Sequence, residues 1–384
     1  MSLTPLPMLA PLAGYAAQAR ALLAGWRAGD ARALDLFHRH HPRFLDEAVP
    51  WLPKRLAPDD IRRASLDESD ARLAVARWYD FADWAALEAH VDALRDDGSP
   101  THRFESAVEC VVNGDVEGLG ALLRRDPTLA HARSTRITRF DPPVHRATLL
   151  HYVAANGVEG YRQRTPANAV EVARALLEAG AAPDALAGFY GGRCTTLSLL
   201  VSSDHPARAG VQVALVEVLV DFGASVEPTG DGSWTSPLLT ALTFNFLDAA
   251  EALVRRGARI DTAAAAAGLN RLADLDRLLP EAGADDRHRA LALAAQLGHV
   301  EVVARLLDAG EDPDRYNPKG AHAHATPLHH AALHGHLAVV RLLVERGARV
   351  ELPDTIYRAT PLGWAMHGHR GDIAAYLRSR GGEE

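Results

Sequence analysis

The feature that most constrains this chain of 384 residues is an internal repeat in its C-terminal half. The segment TPLHHAALHGHLAVVRLLVERGA begins at Thr326, and a second copy, TPLGWAMHGHRGDIAAYLRSRGG, begins at Thr360. Earlier strings of the type LLEAG end at Gly180, Gly223, Gly257, Gly283 and Gly310. Because a unit of this size recurs, the sequence predicts a repeat architecture in which each unit packs mainly against its neighbours.

The copy at Thr326 contains start and stop signals for two short helices. The Thr326 hydroxyl is expected to cap a helix that Pro327 opens, since proline at the first helical position loses no hydrogen bond. Gly335 is expected to end that helix, and Gly347 to end a second one in the left-handed conformation of a C-terminal cap. Each helix carries an apolar stripe, and two such helices cannot bury both stripes alone, so the units are predicted to stack.

The order T-P-L-H, A-A, G-H, V-V-x-L-L and G-A from Thr326 to Ala348 resembles the ankyrin repeat family. The resemblance implies an all-α fold, an ankyrin-repeat solenoid of about eight helix-turn-helix units preceded by a small helical domain. The predicted array spans 104–384. Its copies lie near 104–134, 147–184, 188–227, 231–261, 262–284, 288–314, 322–352 and 355–384. The copy at 262–284 departs most from the pattern, because it lacks T-P-L-H and its second helix meets Pro280.

Residues 1–100 do not follow the repeat period and are predicted to form a separate N-terminal helical domain. The run DDGSP indicates a hinge before the array. The string ARWYDFADWAALEAHVDAL resembles a segment of bacterial proteins that place a helical lead before ankyrin repeats. Its aromatic residues Trp78, Tyr79, Phe81 and Trp84 are interpreted as the core of this domain rather than as a ligand pocket.

Composition narrows the class of partner. The chain carries 41 Lys and Arg against 49 Asp and Glu, a net charge of -8, which argues against nucleic acid and against an anionic membrane surface. Prolines interrupt the apolar residues at the start of the sequence, which argues against a secretory signal. The sequence has no apolar run long enough to predict a membrane span. The two cysteines, Cys110 and Cys194, suit a reducing compartment, so a cytoplasmic location is expected. No cofactor is predicted.

Histidines concentrate between His322 and His336, where six of the nineteen lie. His330 and His334 are four apart on a predicted helix and form a weak candidate for a metal site. The ankyrin resemblance implies hydrogen-bonding roles between helices and loops for His329 and His336. No carboxylate has ligand spacing within the cluster, so structural or solvent-facing histidines are the preferred interpretation, and no metal is predicted.

Two insertions lengthen adjacent repeats, GVEGYRQRTPAN and DHPARAGVQ, and the loop LAGFYGGRCTT lies between them. Aromatic and arginine side chains are common in binding hot spots, and insertions in solenoids often map to the binding face. A further candidate loop runs from Tyr316 to the helix at Thr326. The candidate partner-binding residues are Tyr161, Arg162, Phe189, Tyr190, Arg193, Asp204, His205, Tyr316, His322 and His324.

A catalytic interpretation would need Cys194, His205 and Asp204 to converge, but Cys194 precedes a helix entrance, where a buried thiol is the commoner finding. Phosphate-loop, zinc-protease and serine-hydrolase signatures are absent from the sequence. The preferred hypothesis is a non-catalytic scaffold that binds an unidentified protein partner through its concave face and loop tips. The alternative is a small-molecule or metal-binding protein, a class that includes enzymes, with its site at the insertions of the second and third repeats or at His322–His336. A broad groove would favour the first hypothesis, and a closed cavity with convergent polar groups the second.

Overall fold

The structure, a computed structural model, describes residues 3–382. Within that range the chain is mainly helical and divides into two compact units. The N-terminal unit ends at Ala224, and the C-terminal unit begins at Ser225.

The described part of the N-terminal unit contains twelve α-helices, three short 3-10 helices (Pro42–Phe44, Pro127–His131 and Gly160–Arg162) and one β-hairpin. The helices that precede the repeats are α1 (Leu12–Arg27), α2 (Ala31–His40), α3 (Pro58–Arg62), α4 (Glu68–Trp78) and α5 (Trp84–Leu94). The remaining elements are α6 (Pro100–Asn113), α7 (Val116–Arg125), α8 (Leu149–Val153), α9 (Ala169–Glu178), β1 (Ala187–Phe189), β2 (Gly192–Cys194), α10 (Thr196–Leu200), α11 (Asp204–Arg208) and α12 (Gln212–Asp221).

The aromatic residues of the N-terminal helices form a core, as the sequence predicted. Tyr79 and Phe81 are buried, and Trp78 and Trp84 pack against the same cluster. This core continues into the segment that follows the predicted hinge, since the Arg136 guanidinium donates to the Tyr79 carbonyl oxygen at 2.8 Å. The domain boundary at residues 100–104 stays a prediction.

Three helix pairs follow within this unit: α6 with α7, α8 with α9, and α10 with α12. The two predicted insertions and the loop between them become short elements. The second insertion supplies α11, and the loop folds into the antiparallel pair of β1 and β2. Tyr190 and Gly191 form the hairpin turn with φ of 53° and 75°, the positive values that a tight two-residue turn of the primed type requires. This hairpin is a small departure from the predicted all-α fold.

The C-terminal unit consists of five further helix pairs. They are α13 (Pro237–Thr243) with α14 (Leu247–Arg255), α15 (Ala263–Gly268) with α16 (Leu272–Leu278), α17 (Ala284–Leu297) with α18 (Val300–Asp308), α19 (Pro327–His334) with α20 (Leu337–Glu345), and α21 (Pro361–His367) with α22 (Gly371–Ser379). The first helices α13, α15, α17, α19 and α21 pack side by side in that order. We call the surface formed by these helices and the loops before them the first-helix face.

Local signals in the sequence place the ends of these helices. Thr326 is the N-cap of α19 and Pro327 its first residue. Gly335 is the C-cap of α19, and Gly347 follows the C-cap residue of α20, with φ of 90° and 97°. Gly335 thus ends its helix as predicted, and the left-handed conformation predicted for Gly347 is confirmed. The Thr326 side chain takes part in the capping box that begins α19, and its hydroxyl also bonds to Nδ1 of His329 at 2.8 Å. The same pattern recurs at Thr148, where the hydroxyl bonds to the His151 ring.

The least regular repeat still forms a helix pair. The Thr262 side chain accepts from the Ala265 N–H and begins α15, whose six residues are five alanines and one glycine. The second helix α16 is short and ends in a 3-10 turn that contains Pro280. The small side chains of α15 allow its neighbours on the first-helix face to approach closely.

Replacing Leu343 by alanine is expected to destabilise the C-terminal unit by about 2 to 5 kcal/mol. Leu343 lies on α20, is fully buried and belongs to the apolar cluster shared by successive repeats. Urea unfolding of the full chain followed by circular dichroism measures the change. Leu337 on the same helix is only partly buried and provides a matched control, for which a smaller loss is expected.

Candidate functional site

The hairpin of the N-terminal unit presents one aromatic residue and one arginine to solvent. Tyr190 is 55% exposed and its hydroxyl donates to Oδ1 of Asn156 at 2.6 Å. Arg193 is also exposed. Phe189, the neighbouring candidate, is 5% exposed and stacks on the His145 ring with centroids 5.1 Å apart. Phe189 is therefore a core residue of the hairpin and does not offer its ring to a partner.

Replacing Tyr190 and Arg193 together by alanine is expected to leave the thermal midpoint nearly unchanged, because exposed substitutions usually alter stability by no more than about 0.5 kcal/mol. Phe189→Ala in the same hairpin should instead lower stability by about 3 to 5 kcal/mol, since it removes a buried ring. Thermal melts of the two variants compare them directly. Equal losses would show that the exposed pair is structural.

The other candidates of the first insertion face inward. The Tyr161 ring stacks on Trp78 with centroids 6.4 Å apart, and its hydroxyl accepts from Arg136 at 3.0 Å. Arg162 is 3% exposed and pairs with Glu105 at 2.6 Å. These two side chains bind their own chain, so their predicted contact with a partner does not fit this structure.

Asp204 and His205 lie exposed on α11, as expected of partner-binding candidates. The Asp204 carboxylate pairs with Arg208 at 3.2 Å. Cys194, by contrast, is buried, and its thiol lies 3.9 Å from the Phe189 carbonyl oxygen. A buried thiol within a hairpin fits a packing role, which removes the support for the catalytic combination of these three residues.

Two histidines of the cluster in the C-terminal unit have the hydrogen-bonding roles that the family resemblance implied. His329 is fully buried, and its Nε2 lies 3.2 Å from the Ala359 carbonyl oxygen in the next repeat. Nε2 of His336 lies 2.8 Å from the Gln296 carbonyl oxygen in the preceding repeat. Both rings link adjacent repeats.

The remaining four histidines gather around the indole of Trp364 on the first-helix face. The ring centroids of His330 and His322 are 5.1 Å apart, and those of His330 and Trp364 are 5.3 Å apart. His324 lies 5.7 Å from Trp364, while His334 stacks on His330 at 6.3 Å. Side chains from a loop and two helices therefore converge at one place.

These rings line a half-open cavity of about 660 Å³. Its volume falls within the range of about 300 to 1,000 Å³ that is typical of ligand pockets. The lining residues are Thr243, Phe244, Asn245, Gln296, His322, His324, His330, Leu333, His334, Tyr357, Ala359, Gly363, Trp364 and His367. None of them is an aspartate, glutamate, lysine or arginine, so the wall is aromatic and polar and holds no permanently charged side chain.

A long loop between α18 and α19 closes one side of this cavity. His322, at φ 56°, places Nε2 3.3 Å from the Thr243 carbonyl oxygen at the end of α13. Gln296 on α17 donates to the same carbonyl oxygen at 2.8 Å. The residues of α15 between them are small, and a Cβ at Gly268 would lie 2.8 Å from Cδ1 of Leu242 on α13. Tyr316, another sequence candidate, lies at the base of the loop and donates to the Pro353 carbonyl oxygen at 2.6 Å.

Asp354 orients the opposite wall, and sequence reasoning missed it. Its buried carboxylate accepts from the Trp364 indole N–H at 2.9 Å and from the backbone N–H groups of Ile356 and Ala359 at 2.9 and 3.1 Å. These bonds hold both Trp364 and the loop that carries Tyr357. An aspartate six residues before the T-P start of α21 was the available signal, but nothing local distinguished it from an ordinary loop aspartate.

Burial keeps four histidines of the cavity, His322, His324, His330 and His334, uncharged at neutral pH. It lowers the pKa of His330 well below the usual range, and the neighbouring His322 and His334 lower it further. Burial, reinforced by His336, lowers the pKa of His334 to about 4. It also lowers the pKa of His322 and of His324. Each neutral imidazole therefore has one donor and one acceptor nitrogen.

The arrangement does not favour a metal ion. The rings of His330 and His334, the weak zinc candidate, stack with an angle of 10° between their planes. Imidazole lone pairs lie in the ring plane, so stacked rings do not direct them to one ion. Among residues 3–382, no group of three or more histidine, cysteine, aspartate or glutamate residues has a geometry that could hold a metal.

Parts of this sequence are similar to known proteins. A sequence model described as "Ankyrin repeats (3 copies)" matches residues 263–354 and 291–383. The human cyclin-dependent kinase 4 inhibitor B is 33% identical over 135 residues, which cover 27% of this chain and 95% of that protein. XBAT31 of Arabidopsis thaliana, whose name describes an E3 ubiquitin-protein ligase, is 36% identical over 93 residues, 24% of this chain and 20% of that protein. This chain thus spans about a fifth of XBAT31.

A solved structure, the human ASB11 ankyrin repeat domain, is 20% identical, with a TM-score of 0.38 over 72% of this chain and 98% of that one. Across the described residues, no helix has the length and apolar character needed to cross a membrane.

Proposed function

This chain belongs to the ankyrin repeat family, and from that premise we propose that it is a non-catalytic scaffold that binds a protein partner through the first-helix face of its C-terminal unit. Ankyrin repeats generally mediate protein–protein interaction. The observation that carries the proposal is the cavity on this face, where rings from α19, α21 and two loops converge around Trp364. A preformed recess with aromatic walls is the kind of pocket that receives an anchor residue of a partner.

The location is supported by how the walls are held. His322 and Gln296 both reach the Thr243 carbonyl oxygen, and Asp354 binds the Trp364 indole, so the recess exists before a partner arrives. Binding to a preformed recess loses less conformational entropy than binding that must order the site. The exposed residues Tyr190, Arg193, Asp204 and His205 of the N-terminal unit remain a second candidate surface.

Selection from a random peptide display library on the full-length protein tests this function. Enriched peptides are then measured against the intact protein and against Gly363→Leu, which fills the recess from its wall. A Cβ at Gly363 would have its nearest neighbour, the Ala359 Cβ, at 3.4 Å, so the backbone accepts a side chain there. Gly371→Leu is the matched control, because a Cβ at that position on α22 meets nothing within 4 Å.

We expect the enriched peptides to bind the intact protein and Gly371→Leu equally and Gly363→Leu at least about tenfold more weakly. Some peptides could bind Gly363→Leu as tightly as the intact protein but fail to bind the Tyr190→Ala and Arg193→Ala variants. That result would place the binding face in the N-terminal unit instead. A selection that enriches no peptide above background would count against the scaffold function itself.

The cavity is half-open, neither the broad groove expected of a scaffold nor the closed cavity expected of a ligand-binding protein. Binding of a small molecule is therefore a second candidate function, because polar groups converge in the cavity and its volume suits a drug-sized ligand. Native mass spectrometry of protein purified from its own cells separates the two candidates. An organic compound bound at one equivalent would support the small-molecule function. Protein that carries no such compound would favour the scaffold.

A further inference from the structure

We propose that the cavity around Trp364 receives an uncharged aromatic side chain of the partner, a tyrosine or a tryptophan, whose polar edge hydrogen-bonds to the histidines of the wall. This inference rests on the proposed function, because it names the group that the partner inserts. It follows from the charge, the ring geometry and the unused hydrogen-bonding groups of the wall.

The absence of permanently charged side chains from the wall argues against a charged occupant. The fourteen lining residues include no acidic residue, lysine or arginine. The carboxylate of Asp354 lies behind the Trp364 indole and already accepts several N–H groups. A lysine, arginine or carboxylate that entered would lose its water without gaining a counter-charge, which is costly.

The ring geometry favours a flat occupant. His330 meets Trp364 edge to face at 74°, and His322 meets Phe244 edge to face at 75°. Tyr357, 42% exposed, lies at the rim and contacts His324 at 5.8 Å. Aromatic rings prefer offset or edge-to-face neighbours, so a wall of rings at mixed angles offers both kinds of contact to an entering ring.

The polar groups of the wall distinguish a phenol or indole from a purely apolar ring. His330 is 4% exposed, and neither of its ring nitrogens has a hydrogen-bond partner within the described chain. Buried polar groups are normally bonded, so an unbonded imidazole beside a cavity points to a ligand that supplies the missing partner. A phenol hydroxyl both donates and accepts, and an indole N–H donates, which matches neutral imidazoles.

The opening of the cavity favours a side chain over a free molecule. It is half-open on the first-helix face, and Tyr357 at its rim is accessible. The volume of about 660 Å³ exceeds one indole, which leaves room for the partner's backbone or for a neighbouring residue.

The test uses the full-length protein with isotope-labelled histidine and N-acetyl-tyrosinamide and N-acetyl-tryptophanamide as probes. We expect saturable shifts of the ring C–H resonances of His322, His324, His330 and His334 with both probes. N-acetyl-leucinamide and N-acetyl-lysinamide, as apolar and charged controls, should cause much smaller shifts. The Gly371→Leu protein should respond as the intact protein does, and the Gly363→Leu protein should lose the response.

A phenylalanine at position 330 separates shape from hydrogen bonding. His330→Phe keeps a ring in the wall and removes both nitrogens. It should therefore weaken the binding of the tyrosine and tryptophan probes, which have a polar edge. The affinity for N-acetyl-phenylalaninamide, which has none, should be unchanged or higher. Unchanged binding of the tyrosine probe in this variant would overturn the hydrogen-bonding role of His330. Thermal melts of each variant confirm folding before binding is compared.

The outcome is distinguishable from a failure of the proposed function. If library selection yields peptides that depend on an open recess but carry no tyrosine or tryptophan, the scaffold stands and this inference fails. Equal shifts with the leucine or lysine probe would likewise overturn it. A small molecule that copurifies and blocks the probes would assign the cavity to a free ligand instead of a partner side chain.

Discussion

Lowering the pH from 7 to about 4 is expected to unfold this protein, because two fully buried histidines must stay neutral. Burial lowers the pKa of His151 and of His329 to about 4. In both, Nδ1 accepts from the backbone N–H of the threonine three residues earlier, at 3.2 Å, so this nitrogen carries no proton. Nε2 then carries the proton and donates to a carbonyl oxygen of the next repeat, that of Cys194 or Ala359. A second proton would occupy Nδ1, break the bond from the threonine N–H and place a charge in the buried ring.

The direction in which stability changes with pH follows from how many protons the folded and unfolded chains bind. Between pH 6.5 and 4 the unfolded chain protonates these histidines and the folded chain does not, so stability falls as the pH falls through that window. Each histidine contributes about 3 kcal/mol over the full window, and two together approach the total stability of many domains, about 5 to 15 kcal/mol. Urea unfolding at several pH values, followed by circular dichroism, measures the slope.

Two variants serve as controls for acid unfolding. His329→Asn should be less stable at pH 7 but should show a shallower loss on acidification, because it removes one of the histidines whose pKa is lowered by burial. His205→Ala, on the exposed helix α11, should follow the intact protein. A urea midpoint that stays constant from pH 7 to pH 5 would contradict the assignment of these rings as the acid-sensitive links.

The helices of the repeats were predictable from the sequence because their signals are local. Pro327 opens α19 and Gly347 follows the C-cap residue of α20, and both positions are marked by residue types whose backbone preferences act within a few residues. The same holds for the linking roles of His329 and His336, which depend on a motif repeated at a constant spacing. Even the weak copy at 262–284 forms a helix pair, since the Thr262 cap is local as well.

The candidate sites were harder to predict because they depend on contacts between residues far apart in the chain. His322 reaches the cavity through a bond to Thr243, 79 positions earlier, and no local pattern specifies that contact. The histidine cluster was identified in the sequence, but which rings face a cavity depends on where the long loop before α19 folds. Asp354 was missed for the same reason, since its role appears only when Trp364 lies beside it.

Arg162 was predicted to bind a partner, but the structure buries it in a network of charged side chains. An arginine in an insertion resembles a binding residue, but its partners Glu105 and Glu159 are buried with it, at 2.6 and 3.8 Å. Arg136 lies 3.6 Å from Glu159, so two guanidinium groups and two carboxylates form one buried network. Burial opposes ionisation of Glu159, but Arg136, His145 and Arg162 outweigh it and hold its pKa below the usual range.

Arg162→Ala is therefore expected to destabilise the protein by about 3 to 5 kcal/mol, because it leaves two buried carboxylates with a single guanidinium. Urea unfolding of the full chain provides the measurement. Arg208→Ala is the matched control, since its pair with Asp204 is exposed and should contribute at most about 1 kcal/mol. Adding Glu105→Gln to Arg162→Ala should recover part of the loss, because it removes the carboxylate that lost its closest partner. The second substitution relieves only the uncompensated charge and does not restore the packing of the arginine. A double variant no more stable than Arg162→Ala would therefore mean that lost packing causes the destabilisation.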